Sequence, residues 1–138
     1  MAQLAFLQLI VLTGRSQVWK CEVCDNIVEV LHAGVGQLVC CNQPMVLLEA
    51  KLSEEGSYEK HLPVIERSGD AYSVKVGSVE HLMVEGHWIE WIALDTEDGI
   101  LRKFLPPGDK PVAVFTTSAK VLGARELCNL HGHWAADA

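Results

Sequence analysis

Basic residues are scarce in this sequence of 138 residues. It contains 11 lysines and arginines against 18 aspartates and glutamates, which gives a formal charge of −7 at pH 7. A polyanion would have to be bound against the electrostatic field of the whole protein. We therefore expect no nucleic-acid partner.

Long apolar runs are absent as well. The longest run, from Leu4 to Leu12, has about half of the roughly 20 residues that a membrane-spanning helix needs, and Gln8 interrupts it. No basic residue precedes it and no small-residue cleavage site follows it, so a secretory signal is disfavoured. We expect no membrane association and interpret residues 1–17 as a disordered or loosely docked N-terminal extension, although a start codon assigned too early would look the same.

Cysteines are few and odd in number. A closed disulfide framework would leave one of the five thiols unpaired, so metal ligation is the better hypothesis. Four cysteines lie between Cys21 and Cys41, whereas all histidines but one follow residue 60. This asymmetry predicts two sites, one in a small domain over residues 18–50 and one in a second domain over residues 51–138. The polar stretch 51–60 is predicted to be a linker.

Helix-length amphipathic segments are also missing from the second domain. Short segments with alternating or β-branched character occur instead, separated by glycine-rich and proline-rich turns. These predicted strands are Tyr72–Val76, Trp88–Leu94, Leu101–Leu105 and Val112–Phe115. Short strands with tight turns and no crossover helices indicate an all-β fold, an antiparallel sandwich or barrel.

The first cysteine group consists of Cys21-x-x-Cys24 and the adjacent pair Cys40-Cys41. Two thiolates on one tight loop and a second pair further on can close a tetrahedral metal site. Iron and zinc both fit this spacing. A redox pair and buried unliganded cysteines are alternatives, but thioredoxin-like chemistry requires a helix start in a βαβ unit, which is absent here.

A second group of potential ligands consists of His61, His81, His87, Cys128 and His131. Spacing alone does not establish it, because a single histidine is usually a surface or hydrogen-bonded residue. If all five bind one ion, zinc is disfavoured, since zinc prefers four ligands, and an octahedral iron with one open position is favoured. Such an ion would attract a small anionic substrate.

Several segments together resemble a known family. These are WKCEVCDNIVEVLHAG, LVCCNQPM, EKHLPVIE, KVGSVEH, HWIEWIAL, KFLPPGDKP and CNLHGHW. In order and spacing they are similar to desulfoferrodoxin, the two-iron form of superoxide reductase. The resemblance implies a desulforedoxin-like N-terminal domain with one iron on the four clustered cysteines, followed by an immunoglobulin-like β-sandwich with a second iron. In that sandwich the implied ligands are four equatorial histidines, namely His61, His81, His87 and His131, and the axial thiolate of Cys128.

The resemblance also implies an activity, which is one-electron reduction of superoxide to hydrogen peroxide at a ferrous site with an open sixth position. Lys60 would supply positive potential and orient a proton-donating water, and Glu59 would occupy the sixth position after oxidation. On sequence alone this adjacent pair of opposite charges would be interpreted as solvated surface. The family further implies a cytoplasmic homodimer and a rubredoxin-like electron donor.

Some positions depart from the family pattern. Asp25 stands where glycine commonly follows the second cysteine, which predicts a positive φ at a residue that tolerates it less well. Leu82 replaces a usual proline, and Leu127 replaces a usual tyrosine before Cys128. His32 and His133 fall outside the ligand pattern and are predicted to be structural or surface residues.

Two other functions remain open at this point. One is an electron-transfer iron protein that does not turn over superoxide. The other is a structural zinc protein that uses the same ligands. Metal identity and peroxide yield would separate the three hypotheses.

Overall fold

The computed structural model describes residues 12–54 and 60–138, and every regular element in these ranges is a β-strand. The chain divides into two compact units, one ending at Glu49 and the other beginning at Ala50. The described ranges contain no helix of the length and apolarity that a membrane span requires. The all-β fold expected from the short alternating segments is confirmed.

The N-terminal unit contains five short strands. They are β1 (Val18–Lys20), β2 (Ile27–Glu29), β3 (Val39–Cys40), β4 (Gln43–Pro44) and β5 (Val46–Leu47). β1 pairs antiparallel with both β2 and β5, and β3 and β4 form a separate hairpin. One cysteine pair, Cys21 and Cys24, lies in the turn after β1. The other pair, Cys40 and Cys41, lies at the end of β3 and in the turn that follows it.

The apolar core of this unit is very small. Its buried hydrophobic residues among those described are Val18, Cys21, Val30 and Met45. A core of this size rarely stabilises a fold of fewer than 50 residues by itself, and a bound metal commonly supplies the missing free energy. One of the four buried residues is itself a cysteine of the cluster.

The described residues before β1 belong to this unit. Leu12 forms an antiparallel bridge with Val35, and the backbone N–H of Ser16 donates to the carbonyl of Val30 at 2.7 Å. Of the two alternatives expected for the extension, residues 12–17 are docked on this unit and not disordered. Hydropathy and targeting patterns do not reveal isolated bridges. The first eleven residues lie outside the described ranges.

The second unit contains seven strands. They are β6 (Pro63–Ser68), β7 (Ala71–Val76), β8 (Ile89–Thr96), β9 (Gly99–Phe104), β10 (Val112–Thr116), β11 (Val121–Cys128) and β12 (Gly132–Asp137). They form two antiparallel sheets, in the orders β10-β7-β6 and β12-β11-β8-β9. Each predicted strand lies in one of them, and its ends differ from the observed ends by at most two residues.

Alternating side chains from both sheets make the core. β7 buries Tyr72, Val74 and Val76, and the facing sheet buries Ile92 and Leu94, with all five less than 10% exposed. Two packed sheets with alternating inward residues form a β-sandwich, which confirms the immunoglobulin-like architecture expected from the resemblance.

The second group of potential ligands lies at strand ends. His61 precedes β6, His81 and His87 lie between β7 and β8, Cys128 ends β11, and His131 lies just before β12. Because neighbouring strands run antiparallel, the start of β6 and the end of β7 lie at one edge, and so do the start of β8 and the end of β11. Antiparallel pairing thus gathers residues that are far apart in sequence.

The stretch predicted to be a linker is structured at its first residue. Lys51 forms a parallel bridge with Trp134, since its N–H donates to the His133 carbonyl and its carbonyl accepts from the Ala135 N–H, both at 2.9 Å. A single bridge leaves no periodic pattern, which is why composition indicated only a polar segment.

Candidate metal centres

The four cysteines of the N-terminal unit are held by two tight turns. After β1, the N–H of Asp25 donates to the Cys21 carbonyl at 2.9 Å, so Cys21 and Cys24 lie on one loop. Asp25 has a φ of 66°, as its substitution for the usual glycine predicted. The four cysteines each offer a sulfur within 4.8 Å of the others, and all are free thiols.

The second turn explains how adjacent cysteines reach one point. Cys41 and Asn42 are the two residues that connect β3 and β4, with φ values of 50° and 62°. Two positive φ angles at the central positions are typical of a type I′ hairpin, whose twist matches that of the flanking strands. The turn aims the Cys41 thiol back toward Cys40, and the Sγ atoms of Cys24 and Cys40 are 3.6 Å apart.

The cysteine thiols of this cluster affect one another's ionisation. Hydrogen bonds from the backbone N–H groups of Cys24 and Val23 lower the pKa of Cys21 to about 7 against the opposing effect of burial. The neighbouring thiols of Cys24 and Cys21 raise the pKa of Cys41 to about 12. The Cys21 thiol therefore ionises readily, whereas the raised pKa values of Cys40 and Cys41 oppose their ionisation. A bound metal cation favours the thiolate form of each.

The sandwich brings the second predicted group together. His61, His81, His87, Cys128 and His131 each offer one ligand atom, and all five atoms lie within 4.8 Å of one another. Nε2 of His61 lies 3.1 Å from Nδ1 of His131, and the Cys128 Sγ lies 3.7 Å from Nε2 of His81. Four imidazoles and one thiol that face one another can all donate electron pairs to a single cation.

Burial differs across this cluster. Cys128, His61 and His81 are at most 3% exposed, His87 is half-buried, and His131 is exposed. The thiol is therefore shielded from water, whereas the histidine side of the cluster is accessible. Among the described residues, the exposed His131 marks a side on which a small solute can approach.

Hydrogen bonds fix the orientation of the buried rings. His81 donates from Nδ1 to the Leu82 carbonyl at 2.6 Å, which leaves Nε2 as the nitrogen facing the thiol. The His61 ring stacks on the Trp134 indole with centroids 4.6 Å apart and planes 11° apart. Trp134 thus covers one face of the His61 ring.

Of the two predicted catalytic residues, the structure describes only Lys60. Glu59 lies outside the described residues. Lys60 is half-buried immediately before His61 and lines an open cleft together with Glu54 and Ser78. Of the two histidines predicted to be structural or surface residues, His32 is exposed, and His133 is buried with Nε2 3.5 Å from the guanidinium of Arg125.

Three charged residues of the second unit were not predicted to have a role near the site. Glu54 accepts the backbone N–H groups of His61 and of Leu62, the latter at 2.5 Å. Lys51 donates from Nζ to the His131 carbonyl at 3.0 Å. Both lie in the stretch taken as a linker, where no periodicity pointed to a contact.

The third missed residue, Glu126, is fully buried on β11 and lies on the same face as Cys128. Neither carboxyl oxygen has a hydrogen-bond partner among the described residues. Burial, and then the nearby charge of Glu54, raises the pKa of Glu126 to about 9. Glu126 is therefore a neutral acid at pH 7. The alternation Ala124, Glu126, Cys128 could have placed it inward, because Cys128 was already expected to face a site.

Comparisons with known proteins agree with this geometry. Residues 13–48 match the family model described as Desulfoferrodoxin, N-terminal domain, and residues 53–137 match the one described as Desulfoferrodoxin. A desulfoferrodoxin homolog from Archaeoglobus fulgidus is 56% identical over 123 residues, which cover 89% of this chain and 98% of that protein. The desulfoferrodoxin of Nitratidesulfovibrio vulgaris is 55% identical over 122 residues, covering 88% and 96%.

A solved structure gives a similar result. The superoxide reductase from Treponema pallidum superposes with a TM-score of 0.72 at 30% sequence identity, covering 90% of this chain and all of that one. The five-donor cluster exceeds the four ligands that zinc prefers, and the four-thiolate cluster suits iron equally well. With the family matches, the two clusters are iron centres, one with four cysteines and one with four histidines and a cysteine.

Proposed function

This chain belongs to the desulfoferrodoxin family, and from that premise we propose that it is a superoxide reductase. The observation that carries the proposal is the group of four imidazoles and one buried thiol, whose five ligand atoms lie within 4.8 Å of one another. The solved structure from Treponema pallidum, itself a superoxide reductase, supports the same activity. The reaction consumes one superoxide, one electron and two protons and yields one hydrogen peroxide.

Five protein ligands suit an octahedral ion and leave one position for the substrate. When bound, iron supplies the electron and a Lewis-acidic site. The protein contributes the shape and polarity of that site. Cys128 is 1% exposed, which keeps its thiolate away from water, whereas the exposed His131 makes part of the cluster accessible to a small anion.

Two residues next to His61 are assigned roles by family resemblance. Lys60 is proposed to attract the anion and to orient the water that gives the first proton. Glu59 is proposed to occupy the sixth position after oxidation. The position of Lys60 beside His61, on the wall of a cleft, supports its part of this proposal.

Resemblance also supports the finer parts of the proposal. We infer a cytoplasmic homodimer that receives electrons from a rubredoxin-like donor, with the four-thiolate iron as an auxiliary redox centre. These inferences depend on the family and not on a contact described above.

The proposal is tested by metal analysis and turnover on the same preparation. Protein loaded anaerobically with iron should contain two irons per chain, consume superoxide when supplied with reductant, and form peroxide without releasing oxygen. Cys128→Ser should abolish turnover and retain the four-thiolate iron. Cys24→Ser serves as the matched control, because it should damage the other centre and leave superoxide consumption largely intact.

Three outcomes would contradict the proposal. Two irons without superoxide consumption would indicate an electron-transfer protein. Zinc at both sites after growth with ample iron would indicate a structural role. Turnover that survives in Cys128→Ser would show that the chemistry occurs elsewhere.

A further inference from the structure

Lys51 lies against the histidine–cysteine cluster in a way that sequence did not suggest. Its Nζ donates to the carbonyl of His131 at 3.0 Å and lies 4.7 Å from the centroid of the Trp134 ring. Both partners belong to the site: His131 is one of its five donors, and Trp134 stacks on the donor His61. One ammonium group thus contacts one of the five donor residues and the indole that stacks on another.

The backbone of Lys51 is held independently of its side chain. The parallel bridge with Trp134 uses the N–H and carbonyl of Lys51, with both hydrogen bonds at 2.9 Å. Replacement of the side chain therefore leaves these two hydrogen bonds in place. Any effect of such a replacement on the site has to come from the ammonium group or from its aliphatic stem.

The His131 carbonyl accepts two hydrogen bonds, one from Lys51 and one from the indole Nε1 of Trp134 at 3.1 Å. His131 is the exposed donor of the cluster and lies in the short connection between β11 and β12. Two hydrogen bonds to one carbonyl limit the conformations that the connection can adopt. A charged donor also makes the stronger hydrogen bond of the two.

The charge of Lys51 has a second consequence. The protein carries −7 overall, which opposes the approach of an anion. An ammonium group on the accessible side of the cluster offsets this field locally, and a unit charge several ångströms from a bound anion changes its affinity by about two- to fivefold in a largely aqueous setting.

We propose that Lys51 is a positioning residue of the histidine–cysteine site. Its ammonium group holds His131 by a hydrogen bond to the His131 carbonyl. The same group supplies a positive charge, in addition to that of Lys60, for the capture of a small anion. The inference rests on the proposed function in that superoxide is the anion. Its electrostatic part applies to any small anion that binds the site.

The test uses azide as the probe, in a Glu59→Ala background that leaves the sixth position open after oxidation. Azide is bound to the oxidised, iron-loaded protein and followed by its absorption change. Lys51→Met keeps an unbranched stem and removes the charge, and Lys51→Arg keeps the charge. At low salt we expect Lys51→Met to weaken azide binding by about two- to fivefold and Lys51→Arg to restore it. The difference should shrink at high salt, where the Debye length falls to a few ångströms.

Lys120→Met is the matched control. Lys120 is an exposed lysine that precedes β11, whereas Cys128 ends that strand, so the same charge is removed about 25 Å away. It should change azide affinity far less than Lys51→Met. The rate of iron release to a chelator provides a readout of the positioning role, and it should rise in Lys51→Met and stay unchanged in Lys120→Met.

Two results would overturn the inference. Azide affinity that is equal in Lys51→Met and the unchanged protein at low salt would exclude the electrostatic role. A loss of affinity that is the same at low and high salt, and that Lys51→Arg does not repair, would show that only the shape of the side chain matters. Because azide binding needs no superoxide turnover, failure of the proposed reductase activity would leave a positive azide result intact.

Discussion

Replacement of Glu126 by glutamine should remove a pH dependence of stability. Glu126 is 0% exposed in the sandwich core, and its carboxyl oxygens have no hydrogen-bond partner among the described residues. Burial and the charge of Glu54 raise its pKa from an ordinary value of 4.5 to about 9. Glutamine has nearly the same shape and no charge to lose.

The sign of the effect follows from proton uptake. Between pH 4.5 and about 9, Glu126 is protonated in the folded chain and ionised in the unfolded chain, so folding binds one proton. The free energy of unfolding should therefore fall as the pH rises, by up to ~1.4 kcal/mol per pH unit from this group. Below pH 4.5 both states are protonated and the contribution is constant.

The assay is urea denaturation of the protein and of Glu126→Gln at several pH values between 5.5 and 7.5. Subtraction at each pH removes the dependence that iron and the other carboxylates contribute equally to both proteins. The variant should gain about 2–3 kcal/mol relative to the unchanged protein over this range. Glu66→Gln, at an exposed position of β6, is the control and should give a difference near zero.

A difference between Glu126→Gln and the unchanged protein that does not vary with pH would refute the reasoning. It would mean that the folded chain keeps Glu126 ionised, which requires a compensating partner for its carboxylate.

Three further outcomes are expected. Asp25→Gly should raise the free energy of unfolding of the N-terminal unit by about 0.5–1 kcal/mol in thermal melts, because glycine adopts a φ of 66° without steric cost; an unchanged melt would contradict this. Gly77→Ala should cost ~2 kcal/mol more than Gly86→Ala in urea denaturation, since both have positive φ but only at Gly77 would a Cβ overlap backbone carbonyls; equal costs would count against the overlap. Arg125→Met should cost about 2–3 kcal/mol, because it strands the half-buried Asp95, 2.9 Å from the guanidinium, and Asp95→Asn in the same chain should recover part of this loss.

The two ligand sets could be predicted from sequence because metal ligation requires particular residue types at particular spacings. Cys21 and Cys24 have a spacing that few other roles need, and the segments around His61 and Cys128 match a family pattern. The strands could be predicted for a similar reason, since a sheet with one buried face imposes alternation on β7 and its neighbours.

The contacts around the ligands could not be predicted, because they depend on where the chain returns in space. A single parallel bridge with Trp134 places Lys51 so that its side chain contacts His131, which is 80 residues away in sequence. Glu54 reaches the amide of His61 from a polar stretch that has no repeating pattern. The positive φ of Cys41 likewise follows from a two-residue hairpin whose flanking strands are too short to be recognised.

The histidine–cysteine cluster joins parts of the chain that are up to 70 positions apart. An ion held there acts on chain entropy as a covalent crosslink does, because its ligands close loops that the unfolded polypeptide would leave open. Loss of the ion releases these loops together and raises the population of opened molecules on which proteases act. We therefore expect iron supply to affect how long the polypeptide resists proteolysis.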